Sequence, residues 1–229
     1  MVAGGRSDGP TVVLVHGIGV SRRYFAPLAR ELSTRARVLA VDLPGFGGAP
    51  GPLSLSVPEH AGAVRRALEP LGVRGALLVG HSMGCQVVAH LVRGHPHLAA
   101  GAVLIGPTVD ERARSAPRQA LRLLRDSAAE PVAFNAVLVR EYLRCGPRRY
   151  LATAAHMLAD RIEEVLPAAA VPVLVLRGAH DPIAPRHWTE HLARRAPLGR
   201  AAQLDGGRHG IQWSHPQEVA RACLELVRA

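Results

Sequence analysis

Residues 80–84, with the sequence GHSMG, place a serine between an apolar run and a segment of helical character. The run before them, 76–79, predicts a buried strand, and residues 85–92 predict a helix. A sharp turn from strand to helix lifts the serine hydroxyl clear of a sheet, and the flanking glycines let neighbouring backbone approach without a Cβ clash. The pattern therefore predicts that Ser82 is a nucleophile. A glycine-rich structural turn with a capping serine is the alternative.

Further short apolar runs predict the other strands of a parallel sheet. They are almost continuously apolar, as is typical of strands buried on both faces. The segments between them have helical length and spacing, and this alternation favours an open α/β sheet with right-handed crossovers. The predicted strands are 11–15, 38–41, 76–79, 102–105, 171–176 and 201–204. The predicted helices among them are 24–32, 58–68, 85–92, 186–195 and 216–227.

Residues 107–167 interrupt this alternation, because they contain no convincing strand. Prolines punctuate the segment, and the first three of them suit the first turn of a helix. The predicted helices are 117–127, 131–143, 147–158 and a short one at 162–166. We therefore expect one α/β core, residues 1–106 and 168–229, with residues 107–167 inserted as a helical lid.

The formal net charge is +10, and all 28 basic residues are arginine. They are scattered, without interleaved aromatic residues, so nucleic acid is not expected as a partner. No apolar run approaches the length of a membrane span, and the three cysteines lack the spacing of a zinc site or a disulfide framework. No signal peptide is expected. We expect a cytoplasmic protein that acts on a small-molecule substrate without a metal, a cofactor or a membrane.

Two more motifs follow predicted strands. Asp181 lies in the segment GAHDP after the strand at 171–176, and His209 lies in GGRHG after the last strand. Because the carboxyl ends of parallel strands meet at one edge of a sheet, we expect Ser82, Asp181 and His209 to lie together. A serine hydroxyl needs a base, which His209 would supply, and Asp181 would hold the imidazole in the required tautomer.

Each partner of the serine has competitors in the sequence. Asp181 could be a turn residue before Pro182, with Asp110, after the strand at 102–105, as the acid instead. His209 is preferred among the 12 histidines because only it lies in a glycine-rich loop after the last strand. His16, in the turn after the first strong strand, is expected to support that turn by hydrogen bonding.

Together these motifs resemble the lidded branch of the α/β-hydrolase superfamily. The resemblance rests on the HG turn at 16–17, DLPGFG at 42–47, GHSMG, the RGxxD segment that ends at Asp181, and a histidine followed seven residues later by Pro216. It extends over nearly the whole chain from about residue 12, and it implies a mostly parallel sheet with a helical cap over a Ser-His-Asp triad. It also implies an oxyanion hole made by the backbone N–H groups of Ile18 and Met83.

The resemblance implies a serine hydrolase that cleaves a carboxylic ester, a lactone or a thioester through an acyl-enzyme. A carbon–carbon bond hydrolase on vinylogous diketones would use the same triad, and a non-hydrolytic cyclase or ligand-binding protein would use the same pocket. The lid is expected to control substrate choice. The residues expected to line its cavity, together with one after His209, are Phe134, Leu138, Tyr142, Met157 and Trp213.

The chain begins only about ten residues before the strand at 11–15, where the superfamily usually has a β-hairpin. Either the first N-terminal strands are absent, or the start is misassigned. If they are absent, the predicted strand order is 38–41, 11–15, 76–79, 102–105, 171–176, 201–204, and one side of 38–41 is unpaired. Sheet edges are rarely left bare. We therefore expect either a homodimer that covers this edge or residues 1–9 folded back on it.

Overall fold

The structure, a computed structural model, describes residues 1–6 and 8–228 and contains in them one seven-stranded sheet. Its strands are β1 (Val2–Gly5), β2 (Thr11–Val15), β3 (Arg37–Val41), β4 (Ala76–His81), β5 (Ala99–Ile105), β6 (Val173–Gly178) and β7 (Gly199–Leu204). The strand order is β1-β3-β2-β4-β5-β6-β7. Strands β2 to β7 are parallel and β1 is antiparallel, which confirms the mostly parallel α/β sheet and the predicted strand order.

Helices follow the strands in the predicted alternation. They are α1 (Ala26–Ser33), α2 (Val57–Leu68), α3 (Met83–Gly94), α4 (Ala116–Ser127), α5 (Val132–Cys145), α6 (Pro147–Ala159), α7 (Ile162–Val165), α8 (Arg186–Arg195), α9 (Ile211–Ser214) and α10 (Pro216–Arg228). Every predicted helix is present with ends shifted by two residues at most, whereas the single turn α9 was not predicted. Within the described ranges, no helix has both the length and the apolar character needed to cross a membrane.

Strand β1 covers the sheet edge that the sequence left in question. Its residues pair with β3, with Val2 opposite Ala40 and Gly5 opposite Arg37. One strand therefore precedes β2, where the family resemblance implies a hairpin of two. The expectation that residues 1–9 fold back on the edge is confirmed for residues 2–5, and the reason for expecting a homodimer at this edge is thereby removed.

Side chains of the central strands alternate between two apolar layers, as the twofold period of a strand requires. Val13 and Val15 of β2 join the layer that contains α2, α3 and α8. Val12 and Leu14 join the layer that contains α1 and α10. Complete burial of a single Val or Leu side chain contributes about 1.5–3 kcal/mol. The two layers together hold the sheet between helices on both faces.

The last strand departs from the expected burial. The run at 201–204 was predicted as part of a sheet buried on both faces, but residues 200–203 of β7 are exposed. The prediction of two buried faces is wrong for this strand, because β7 is at the edge of the sheet and pairs only with β6.

Between β5 and β6 the described chain contains α4 to α7 and no strand. This agrees with the helical character predicted for residues 107–167. Helix α5 packs against α6, and α5 also contacts the short 3-10 helix at Arg22–Phe25 that follows β2. The inserted helices therefore lie against the end of the sheet where the predicted site residues are.

Candidate active site

Ser82 occupies a strained turn between β4 and α3. Its φ of 55° and ψ of −123° make it the only non-glycine residue with a positive φ in the described ranges. Such a conformation costs of order 1–3 kcal/mol and persists only where surrounding contacts hold it. One such contact is the Ser82 N–H, which donates a hydrogen bond of 2.9 Å to the Ile105 carbonyl at the end of β5. The serine is almost fully buried at the carboxyl end of the sheet.

The glycines beside Ser82 are required by close backbone approach. A Cβ at Gly84 would lie 2.1 Å from the Val15 carbonyl oxygen, and a Cβ at Gly80 would lie 2.4 Å from the Gly84 carbonyl oxygen. Contacts this short are with backbone, which cannot move aside as a side chain can. The turn that presents Ser82 is therefore possible only with glycine on both sides.

We expect Gly84→Ala to lower the free energy of unfolding by about 3 kcal/mol, because the start of α3 or the end of β2 has to shift. The matched control is Gly94→Ala at the other end of α3, where an added Cβ meets nothing within 4 Å. This control should change the stability by less than about 1 kcal/mol. Thermal unfolding of the two variants measures the difference, and equal melting temperatures would contradict the packing argument.

Asp181 and His209 are joined by a hydrogen bond. His209 Nδ1 donates to Asp181 Oδ2 at 2.9 Å, and Asp181 Oδ1 accepts from the N–H groups of Ile183 (2.8 Å) and Ala184 (3.0 Å). Burial opposes the charge on Asp181, but the His209 ring and these two donors outweigh it and lower the pKa of the carboxyl. The proton on Nδ1 leaves Nε2 of His209 as the nitrogen that can take a proton.

Gly106 brings this pair and Ser82 to one place. It directly follows Ile105, whose carbonyl holds the Ser82 N–H, and a Cβ on it would lie 2.8 Å from His209 Nδ1 and 3.0 Å from Asp181 Oδ2. The three residues predicted to act together are therefore grouped at the end of β5. Among the described contacts, the Ser82 hydroxyl makes no hydrogen bond to the His209 ring.

Asp110, the alternative acid, interacts with partners other than His209. Its buried carboxylate pairs with Arg122 at 2.8 Å and contacts His187 Nε2 at 3.2 Å. It also caps a short 3-10 helix by accepting from the Arg112 N–H at 3.1 Å. The described contacts of Asp110 thus join α4 to α8 and do not include His209, whose ring nitrogen is bonded to Asp181.

The N–H groups of Ile18 and Met83 are the donors that the family resemblance implies for an oxyanion hole. Met83 is the first residue of α3, so its N–H has no partner within the helix, and the positive end of the helix dipole is there. Among the described hydrogen bonds, neither N–H has a protein acceptor. A Cβ on the neighbouring Gly17 would lie 3.5 Å from Ser82 Oγ, so the loop of Ile18 is packed directly against the serine.

His16 supports this loop, as expected from the sequence. Its Nε2 accepts from the Leu43 N–H at 2.9 Å, so Nδ1 carries the proton and donates to the Gly17 carbonyl at 2.8 Å. Burial lowers the pKa of His16 to about 4, and the ring is neutral near pH 7. His16 is therefore a structural histidine of the turn.

A second neutral histidine links the loop to His209, and the sequence did not indicate this role. The Gly17 N–H donates to the Tyr24 hydroxyl at 2.9 Å, the Tyr24 hydroxyl contacts His81 Nδ1 at 2.7 Å, and His81 Nε2 contacts the His209 carbonyl at 2.9 Å. Because a carbonyl can only accept, His81 Nε2 carries the proton and Tyr24 donates to Nδ1. Burial lowers the pKa of His81 to about 3, which keeps this ring neutral.

The five residues predicted to line the substrate cavity divide between two apolar clusters. Phe134 and Leu138 are buried, Tyr142 and Trp213 are half-buried, and these four pack in the layer that contains Tyr24. Met157 belongs to the other layer, together with Ile18 and Met83. Phe134, Leu138 and Tyr142 lie on α5, which packs against the helix of Met157, α6. That the five residues line one substrate cavity stays a prediction.

A cavity of about 300 Å³ lies where the inserted helices meet the loops after β2 and β3. Gly19 and residues 45–49 line one side of it, and Glu141, Cys145 and Arg149 line the other. None of the five predicted residues lines this cavity. Its position beside the Ile18 loop makes it a space between the insertion and the core.

Two buried carboxylates of the insertion contact the loop of His209. The His209 N–H donates to Asp126 Oδ1 at 3.2 Å, and the Gly210 N–H donates to Glu130 Oε1 at 2.7 Å. Sequence reasoning missed both residues, because acidic residues in and after a predicted helix usually lie in solvent.

The described part of the chain contains no group of three or more His, Cys, Asp or Glu residues that could hold a metal ion. The grouped side chains instead offer a hydroxyl, a hydrogen-bonded imidazole and unpaired N–H donors. This set can move a proton from a hydroxyl and stabilise negative charge on an oxygen.

Comparisons with known proteins show relatives in sequence and in structure. A curated relative, the pimeloyl-[acyl-carrier protein] methyl ester esterase of Aromatoleum aromaticum, is 29% identical, and the alignment covers 96% of this chain and 98% of that protein. The putative carbamate hydrolase RutD of Stutzerimonas stutzeri is 28% identical over 95% of this chain and 91% of that protein. Among solved structures, the enol-lactonase from Burkholderia xenovorans LB400 has a TM-score of 0.85 at 21% identity, over 100% of this chain and 95% of that chain.

A protein-family model matches most of the chain. The model described as the Alpha/beta hydrolase family matches residues 12–222, a range that includes Ser82, Asp181 and His209. The match leaves out only β1 and the two ends of the chain. The protein belongs to the Alpha/beta hydrolase family.

Proposed function

We propose that the protein is a serine hydrolase that cleaves a carboxylic ester, a lactone or a thioester. The observation that carries the proposal is the hydrogen bond from His209 to Asp181 beside the strained Ser82. A buried imidazole with one nitrogen bonded to a carboxylate is suited to accept a proton at the other nitrogen. The names of the curated relatives, a methyl ester esterase and a carbamate hydrolase, support hydrolysis at a carbonyl carbon.

The reaction follows from the roles of the three side chains. Ser82 Oγ attacks the carbonyl carbon while its proton passes to His209 Nε2, and Asp181 stabilises the imidazolium that forms. The N–H groups of Ile18 and Met83 bind the oxyanion of the tetrahedral intermediate. Collapse of the intermediate breaks the bond to the leaving group, which takes the proton from His209. Water, activated by His209, then cleaves the acyl-serine, releases the acid and restores Ser82.

A fluorophosphonate probe tests the nucleophile directly, because it reacts with an activated serine. We expect one label per chain, located on Ser82 by peptide mass spectrometry, and no label in Ser82→Ala. The exposed-loop variant Ser54→Ala is the control and should be labelled like the wild type. A panel of p-nitrophenyl esters of increasing acyl length then measures hydrolysis. Label that persists in Ser82→Ala would refute the assignment of the nucleophile.

Residues 107–167 are proposed as the lid that selects the acyl group. Met157 is a buried residue of α6 and belongs to the same apolar cluster as Ile18 and Met83, so we propose that removing its side chain enlarges the acyl pocket. We expect Met157→Ala to shift the ratio of kcat/KM between octanoyl and acetyl p-nitrophenyl esters about tenfold toward the longer chain. The control is Leu151→Ala on the exposed side of α6, which should leave the ratio unchanged. An unchanged ratio in Met157→Ala would place the acyl pocket elsewhere.

A further inference from the structure

Asp126 and Glu130 are the two carboxylates of the insertion that touch the His209 loop, and both are nearly inaccessible to solvent. Their exposed fractions are 3% and 6%. Acidic side chains are rarely buried to this degree unless they are paired. No salt bridge of either residue occurs in the part of the chain that the structure describes, and their recorded partners are the N–H groups of His209 and Gly210.

Burial of these carboxylates is unfavourable unless the hydrogen bonds and nearby positive charge compensate for it. Burial raises the pKa of both carboxyl groups. A neutral amide side chain would accept the same N–H bonds without this desolvation cost. The negative charge of these two carboxylates therefore needs an explanation. The nearest group that gains positive charge in the proposed reaction is the His209 ring.

Several other charged or titratable groups face this ring. Asp181 is hydrogen-bonded to its Nδ1, and the His81 ring lies 4.5 Å away between centroids, tilted by 51°, and stays neutral. Arg208, the preceding residue, favours the charged form of Asp126, because its positive charge acts to lower the pKa of that carboxyl. Burial lowers the pKa of His209, but Asp181, followed by Asp126 and Glu130, outweighs it and raises this pKa to about 9.

The loop that carries His209 is thus held from two sides. His81 holds the His209 carbonyl from the core, whereas Asp126 and Glu130 hold two consecutive N–H groups from the insertion. These N–H groups have no partner in the sheet, since the loop lies beyond the end of β7. Without α4 and the segment that follows it, the base would keep only its contacts with the core.

We propose that Asp126 and Glu130 are positioning residues for His209, which place its loop through the two N–H bonds and favour the imidazolium by their charge. The proposal rests on the proposed function, in which His209 is the base. It makes the inserted helices part of the catalytic arrangement as well as a cover for the substrate. Packing of the α4–α5 connection against the core then also places the imidazole of His209.

The direction of the pH effect follows from the charge. His209 accepts the serine proton only in its neutral form, so the reaction rate rises with pH until the pKa of His209 is passed. Removing a negative charge near the ring lowers that pKa. Asp126→Asn and Glu130→Gln should therefore move the acid limb of the fluorophosphonate labelling rate to lower pH, by roughly half a unit or more for each charge.

The experiment compares variants that separate charge from hydrogen bonding. Asp126→Asn keeps an acceptor for the His209 N–H and should retain most of the maximal labelling rate, whereas Asp126→Ala leaves that N–H unpaired and should lose roughly tenfold. The control is Glu163→Gln, which removes a buried carboxylate of the insertion that pairs with Arg114. It should leave the acid limb in place.

An NMR titration of the His209 Cε1–H signal measures the shift in the pKa of His209 without any reaction. The signal is identified by its loss in His209→Gln, and its titration should move to lower pH in Asp126→Asn and Glu130→Gln. A titration and labelling profile that match the wild type in both variants, with only the melting temperature lowered as in Glu163→Gln, would overturn the proposal. A wild type that takes no label at Ser82 would overturn the proposed function, while the titration still decides the effect of the pair on His209.

Discussion

Ser82→Ala and His209→Ala are each expected to lower kcat toward an ester by at least about 10³-fold, and the double variant is expected to lose no more than the worse of the two. The reason is that the serine has no proton acceptor without the imidazole, and the imidazole has nothing to activate without the serine. Loss of either group removes the same step. Steady-state kinetics on a p-nitrophenyl ester, with circular dichroism to confirm folding, measures all three variants.

This non-additivity separates a catalytic pair from two residues that merely contribute to binding. Residues that act independently give free-energy losses that add in the double variant. Additive losses, or a His209→Ala variant with near wild-type kcat, would contradict the assignment of His209 as the base. His16→Ala is unsuitable as a control, because His16 holds the Ile18 loop through two hydrogen bonds.

Asp181→Asn is expected to lower kcat by about 10³–10⁴-fold with the fold intact. The amide can donate to His209 Nδ1, which favours the tautomer with the proton on Nε2, and this tautomer cannot accept the serine proton. The side chain keeps its size, and its oxygen can still accept from the N–H groups of Ile183 and Ala184. Kinetics and the melting temperature of the same sample show whether catalysis falls without unfolding.

Asp110→Asn is the matched comparison, because Asp110 is the other buried aspartate that follows a central strand. Its carboxylate pairs with Arg122 and contacts His187, so the variant should lose stability through that ion pair. Its kcat should stay within about threefold of the wild type, which corresponds to a change of well under 1 kcal/mol in the activation free energy. A severe loss in Asp110→Asn with normal turnover in Asp181→Asn would reverse the assignment of the acid.

The regular elements were predictable because local signals mark them. Apolar runs bounded by glycine or proline gave strand β2 in full and β3 to β6 in part. Prolines marked the starts of α4, α5 and α6, with Pro117 and Pro147 in the first turn and Pro131 as the N-cap residue. The grouping of Ser82, Asp181 and His209 was predictable as well, because the parallel sheet brings the carboxyl ends of its strands to one edge.

The remaining features depend on contacts between residues far apart in sequence. Asp126 and His209 are 83 positions apart, and Tyr24 and His81 are 57 apart, so no periodicity relates them. The division of the expected substrate residues between two apolar clusters was not predictable for a related reason. Helical spacing predicts that Phe134 and Leu138 share a buried face, but it does not indicate which side of the sheet that face will meet.

The hydrogen-bonded path from Gly17 through Tyr24 and His81 to the His209 carbonyl has only one possible arrangement of protons. A backbone N–H at one end can only donate and a carbonyl at the other can only accept, so each hydroxyl and ring proton between them has a defined place. With the pKa of His81 lowered to about 3, no change of pH in the ordinary range adds a proton to the path. The loop of Ile18 and the loop of His209 are consequently joined by hydrogen bonds whose direction stays the same when the His209 ring gains or loses its own proton.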